Sequence, residues 1–258
     1  MKRPDELGRV VYPSTFVTVQ TTQELPSSST TIRAGGLALV GGAAAFLVVF
    51  AYLAARFNYP EVLDGSAASV LPALLGTGAS GRAAWAFYSL LPLIWIPAGV
   101  GAFHAFRHTG EGSTRLAMHF AALAAVSMML GLMRWPSVHW ELAKAWVTAA
   151  PDQRVALEAV FLGLNRYLGN YIGEFLGELS VSVFFLISGA AILRPESRVP
   201  RWVGYLGIVT ALAGMIGMFR NVTNAVAAVA EVNNYLLPIF MLVLGVSLLR
   251  QRAAAVES

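Results

Sequence analysis

Cysteine is absent from all 258 residues. Disulfides, thiolate nucleophiles and cysteine-ligated metals are thereby excluded, and redox chemistry gives no sign of the compartment. Charge is scarce as well: Asp, Glu, Lys and Arg make up 12% of the chain, where an ordinary soluble domain has about a quarter. With 57% of positions apolar, this is the composition of a polytopic membrane protein. The formal charge of +4 is no nucleic-acid signature, because the cations stand between apolar runs, where they orient helices against a membrane. No nucleic-acid partner is expected. Also missing are a phosphate-binding loop, a Ser/His/Asp order, a metalloprotease helix and a paired-aspartate prenyl-diphosphate motif, so no cofactor is implied.

What is present is a series of apolar runs. Residues 1–32 are rich in Ser, Thr and Pro and read as a flexible cytoplasmic tail. Residues 33–252 read as a six-helix transmembrane domain, and 253–258 as a short C-terminal tail. The expected spans are 34–55, 83–103, 116–133, a fourth within 152–193, 202–219 and 233–249. Pro92 and Pro97 predict a kink in the second span, and Trp85 and Tyr88 mark its outer end. The fourth run is longer than the ~20 residues a bilayer crossing needs, so its first part should project beyond the hydrocarbon or bend near Gly163. Between spans, the loop 57–81 has room for a short surface helix. The amphipathic segment 136–150, with tryptophans at 135, 140 and 146, reads as an interfacial helix. The fold class is all-α: a polytopic bundle of six transmembrane helices plus a short interfacial helix on the outer side.

Counting Lys and Arg on alternate sides gives eleven on one and seven on the other. The richer side holds Lys2, Arg3, Arg9, Arg33, Arg107, Arg115, Arg194, Arg198, Arg201, Arg250 and Arg252, and is expected to be cytoplasmic, with both termini inside the inner membrane.

The stretch 165–182 organises the rest. Arg166, Asn170, Glu174, Glu178 and Ser182 recur every fourth residue, and so do Gly169, Gly173 and Gly177, giving one polar ridge and one without side chains. A glycine zipper of this kind lets a neighbouring backbone approach closely, and ionisable groups on such a helix must face protein or water. Gly189, nearly opposite Gly173 by helical geometry, lies on a different face.

At ~1.5 Å per residue, Arg134, Glu174, Glu178, Arg220, Glu231 and Asn234 all come out roughly 24–30 Å from the basic ends of their helices. One level near the outer rim of the hydrocarbon therefore collects polar groups from four helices. The reading is an outward-facing polar pocket lined by Arg134, Arg166, Asn170, Glu174, Glu178, Arg220, Asn224 and Asn234, with His139 contributing from a roof formed by the 135–146 segment. Its ligand would be a small amphiphile, a lipid or a hydrophobic metabolite, with membrane lipids as surroundings and a homo-oligomer compatible. Set against it is a purely structural reading, in which Arg134, Arg166 and Arg220 pair with Glu174, Glu178 and Glu231 to hold helices together. Two functional alternatives remain: an intramembrane cyclase or lipid-modifying enzyme using Glu174 or Glu178 as general acid/base, and a small oligomeric transporter. His104, His108 and His119 have spacings compatible with metal ligation, but no acid or cysteine ligand other than Glu111 accompanies them, so no metal is expected.

Tyr59-Pro60-Glu-Val-Leu after the first span, Gly-Leu-Met-Arg-Trp closing the third, the Leu-Gly-Asn-Tyr-Ile-Gly-Glu pattern within 165–178, and Arg201-Trp202-Val-Gly-Tyr-Leu-Gly resemble a bacterial and archaeal family of six-helix membrane proteins catalogued as a domain of unknown function. The resemblance covers about residues 33–250. It implies the helix count and carries no catalytic residues.

Overall fold

The structure, a computed structural model, describes residues 28–251. The expected tails therefore lie outside the described residues, apart from 28–32, which already belong to the first helix. Helices α1 (Ser28–Phe57), α2 (Ala67–Gly76), α3 (Gly78–Leu90), α4 (Trp95–Phe106), α5 (Glu111–Met133), α6 (Val138–Thr148), α7 (Pro151–Leu164), α8 (Gly177–Ile192), α9 (Arg201–Gly217) and α10 (Ala227–Arg250) follow in order. Between α7 and α8, residues Asn165–Leu176 wind as a π-helix without breaking the rod. Six stretches are long and apolar enough to cross a membrane. This is an all-α, multi-pass membrane bundle.

Proline punctuates the second crossing as expected. A 3₁₀ turn at Leu91–Ile94 separates α3 from α4, because Pro92 has no N–H to continue the α ladder. The fourth crossing is one rod from Pro151 to Ile192. Its irregularity is the π winding of Asn165–Leu176 rather than a bend at Gly163.

The crossings pack as a closed ring in chain order: α1 on α4, α4 on α5, α5 on α8, α8 on α9, α9 on α10, and α10 back on α1. Small residues set each contact. A Cβ added to Gly35 would lie 2.8 Å from Gly101 Cα, one on Gly36 2.8 Å from the Gly245 carbonyl oxygen, and one on Gly173 2.9 Å from Gly131 Cα. Gly99 against Ala121 and Gly217 against Ala230 are similarly tight. In lipid, where apolar side chains gain little by leaving the solvent, such backbone approach supplies the dispersion contacts that hold helices together. Gly189 joins this set: a Cβ there would meet the Gly204 carbonyl at 2.7 Å, so its face is as crowded as that of Gly173. Helical geometry places the two residues on different faces, and the ring gives each face a neighbour.

Two apolar cores result. One fills the bundle, with Leu39, Trp95, Phe106, Phe184, Phe185, Phe240 and Leu244 among its buried members. The other lies at the end of the bundle opposite the basic turns, where α2 packs on α6 and both meet α7. This cap contains Phe57, Val70, Leu71, Leu74, Trp85, Tyr88, Trp135, Trp140, Trp146 and Phe161. Trp85 and Tyr88 are thus buried in the cap. Trp85 stacks on Trp135 at 5.0 Å between centroids, and Phe57 meets both indoles edge-on.

At the opposite end the turns carrying Arg107 and Arg198 come together. His108 Nε2 is 3.2 Å from the Glu196 carbonyl oxygen, which ties the α4–α5 turn to the α8–α9 turn. His119 is exposed, and among the described residues no group of three His, Asp or Glu side chains could hold a metal.

Candidate functional site

A strict repeat of four does not stay on one face of an α-helix. At 100° per residue each step of four overshoots the turn by about 40°, so Arg166 and Ser182 would end up about 160° apart. The π winding of Asn165–Leu176, with i→i+5 bonds and more than four residues per turn, removes most of that drift. Its consequence is that both ridges keep a constant neighbour. Gly169, Gly173 and Gly177 face Arg134, Gly131 and Met128 of α5 and its end, a four-residue ladder against a three-residue one. Asn170, Glu174 and Glu178 face the end of α9.

There they build a polar network. Arg220, in the 3₁₀ turn Met218–Asn221, donates from Nη2 to Glu178 Oε1 at 2.5 Å and from Nε to Glu174 Oε2 at 3.4 Å. Asn221 Nδ2 donates to Glu174 Oε2 at 2.7 Å and to the Asn170 carbonyl at 3.3 Å. Glu178 is buried, with 9% of its side chain accessible, while Glu174 and Arg220 are partly accessible. The network is not saturated. Among the described residues, Glu178 Oε2 and Arg220 Nη1 are buried without a hydrogen-bond partner, and so is Asn233 Oδ1 on α10. Deeper along the same seam Ser182 Oγ packs directly on Gly214 and the Asn233 amide comes close to the same glycine, so buried polar groups continue inward from Glu178.

Arg134 makes a second, separate node. It is 5% exposed, donates from Nε to Asn165 Oδ1 at 3.0 Å and from Nη1 to the Gly131 carbonyl, and lies over the Trp135 ring at 5.1 Å. Gly169 makes room for it: a Cβ there would fall 2.5 Å from the guanidinium carbon. This arginine is solvated by neutral acceptors and by ring faces rather than by a carboxylate in contact. Near it, outside the spans, burial pushes the Tyr59 phenol above its usual value, against a lowering hydrogen bond with Tyr88.

The expected lining residues therefore divide. Glu174, Glu178, Arg220 and the backbone of Asn170 come together. Arg134 sits apart on the α5 side. Arg166, Asn224 and Asn234 are exposed, as is Glu231, so the three-against-three ion-pair scheme is replaced by one arginine shared between two glutamates. His139 is fully buried in the cap, between the rings of Trp135 and Phe161 at 4.8 Å from each, and neither ring nitrogen has a hydrogen-bond partner among the described residues. It belongs to the aromatic core and not to the Glu178 network.

On α10 the inward asparagine is Asn233, 3% exposed, and not its neighbour. Its register was readable: Ala230, Asn233, Leu237, Phe240, Leu244 and Leu248 follow one another at steps of three or four. Asn165 and Asn221, the amides that complete the two nodes, carry no such signal, because each sits where the winding changes.

A family described as "Domain of unknown function (DUF4386)" matches residues 10–250. The chain belongs to that family. The match begins well before the first crossing, so the family pattern reaches into the segment that the resemblance had left out. Comparison with curated proteins and with solved structures gave no match.

Proposed function

We propose that this member of the family is a multi-pass protein of the cytoplasmic membrane, both termini inside, that binds the polar head of a small amphiphile in an outward-facing site around Glu178 and Arg220. The observation that carries the reading is a trio of spare polar atoms where α8, the end of α9 and α10 meet: Glu178 Oε2, Arg220 Nη1 and Asn233 Oδ1, all buried and without hydrogen-bond partners among the described residues. Helices held together only by ion pairs gain nothing from such atoms, each of which costs about 1–3 kcal/mol when left unpaired. A ligand head offering two donors and one acceptor satisfies all three. Arg220 with Glu174 and Glu178 carries a net charge of −1 when all are ionised, which favours a hydroxyl- or amine-bearing head over an anionic one. The glycine zipper on the π-segment then serves to hold the adjacent face rigid against α5 while the polar ridge stays on the ligand side.

The test is native mass spectrometry of the protein purified in mild detergent, followed by identification of what dissociates. A hydroxyl- or amine-headed amphiphile carried by the wild type and lost from a well-folded Glu178→Gln variant is the expected result. Identical adducts on both proteins would refute the site.

A further inference from the structure

The basic end of the bundle holds a groove that the Glu178 network does not explain. It has a volume of about 560 Å³, within the range of small-molecule sites, and lies between the start of α9 and the end of α10. Its floor is apolar: Val199, Val203, Leu242, Val243 and Val246 line it. Its polar lining is one-sided. Arg198 and Arg250 line it together with Ser247 and Gln251, and among the described residues no carboxylate does. Trp202, also on the wall, is exposed at the level where indoles mark a membrane interface.

Apolar walls running into the bilayer below two guanidiniums form a surface with two demands. The walls need hydrocarbon, and the arginines need an anion at the headgroup level. We propose that this groove is a binding site for an anionic phospholipid, one acyl chain lying against Val203, Leu242 and Val246 and the phosphate held between Arg198 and Arg250. Arginine suits the role because its planar fork donates two parallel hydrogen bonds to phosphate oxygens. Anionic lipid is also what basic recesses between transmembrane helices select. The site is independent of the Glu178 reading: it lies at the other end of the bundle, has the opposite charge and takes a different head.

The experiment uses the full-length protein, delipidated in detergent and titrated with phosphatidylglycerol or phosphatidylcholine of identical chains, with adducts counted by native mass spectrometry. Wild type is expected to prefer phosphatidylglycerol at least fivefold. The Arg198→Gln/Arg250→Gln double variant should lose the preference while keeping the fold, since both side chains are exposed. Val246→Trp, which fills the groove and leaves the arginines in place, should cut binding of the same lipid about fivefold. Arg107→Gln/Arg115→Gln, neutralising the same end outside the groove, should change nothing. Equal binding of the two lipids, or equal loss in the control pair, overturns the proposal. So does soluble glycerol phosphate displacing the lipid at equimolar concentration, which would mean that the headgroup alone binds. A protein dimer abolished by Val246→Trp with the lipid adduct unchanged would make the groove a contact between copies and would also overturn it.

Discussion

Arg220 Nη2 lies 2.5 Å from Glu178 Oε1, while the same guanidinium reaches Glu174 through Nε at 3.4 Å. One cation thus serves two carboxylates, and the two single substitutions that break the arrangement are unequal. Arg220→Gln strands the buried Glu178 and leaves Glu174 with only the Asn221 amide, and should cost about 3 kcal/mol or more. Glu178→Gln leaves Arg220 with Glu174 and keeps a hydrogen-bonding side chain in place, so its cost should be about 1 kcal/mol. The double variant should be more stable than Arg220→Gln alone. Thermal unfolding of the four proteins in one detergent checks the order, and equal losses for the two single variants would contradict the shared-cation arrangement.

His139 gives a prediction of the opposite sign. Its imidazole is buried between Trp135 and Phe161 with both nitrogens unpaired, so it carries polar atoms into an apolar core without reward. His139→Phe removes those atoms and keeps a flat ring, and should leave the melting temperature unchanged or higher. A marked fall would mean that a partner outside the protein chain, such as a buried water, satisfies the imidazole.

The crossing of Gly173 with Gly131 and that of Gly189 with Gly204 predict that Gly173→Leu and Gly189→Leu both destabilise strongly. Gly163, on the same rod with no atom within 4 Å of an added Cβ, is the matched control. Gly163→Leu should be neutral or mildly stabilising, since leucine is about 0.8 kcal/mol better than glycine in a helix. Melting curves of the three variants decide whether close backbone contact, rather than helix propensity, sets the effect.

The helix count, the prolines at the second crossing and the two short helices on the cap side were legible because each rests on a local signal: a run of apolar residues, a missing N–H, an amphipathic segment. The two ridges of the fourth crossing were legible too, since a repeat of four names its own neighbours. What was not legible is where each ridge points. That depends on π winding, which the repeat hints at through its mismatch with 3.6 residues per turn, and on 3₁₀ geometry at Met218–Asn221, which brings Asn221 under Glu174. Depth counting from the sequence gave Arg134 and Arg220 one level, but Arg134 meets the rod at Asn165 and Gly169 and Arg220 meets it at Glu174 and Glu178, on a different flank that level alone could not reveal.

Asn233 and Asn234 test that distinction between level and face. Asn233→Leu fills the seam beside Gly214 and Ser182 and removes a buried acceptor, so it should abolish binding of any ligand that uses Glu178. Asn234→Leu, at an exposed position, should bind like wild type. Ligand retention measured on both purified variants gives the answer, and equal retention would remove Asn233 from the site.

The rod that runs from Pro151 to Ile192 works as a differential between two loads. Its α7 end is bolted into the aromatic cap through Phe161, its α8 end into the bundle through Phe184 and Phe185, and the twelve residues Asn165–Leu176 lie between them. Conversion of those residues to α winding would turn one end against the other by more than about 40° for every four residues. Glu174 would leave Arg220 and Gly169 would leave Arg134 in the same motion. Such a rotation would couple the cap to the charge network through a single helix.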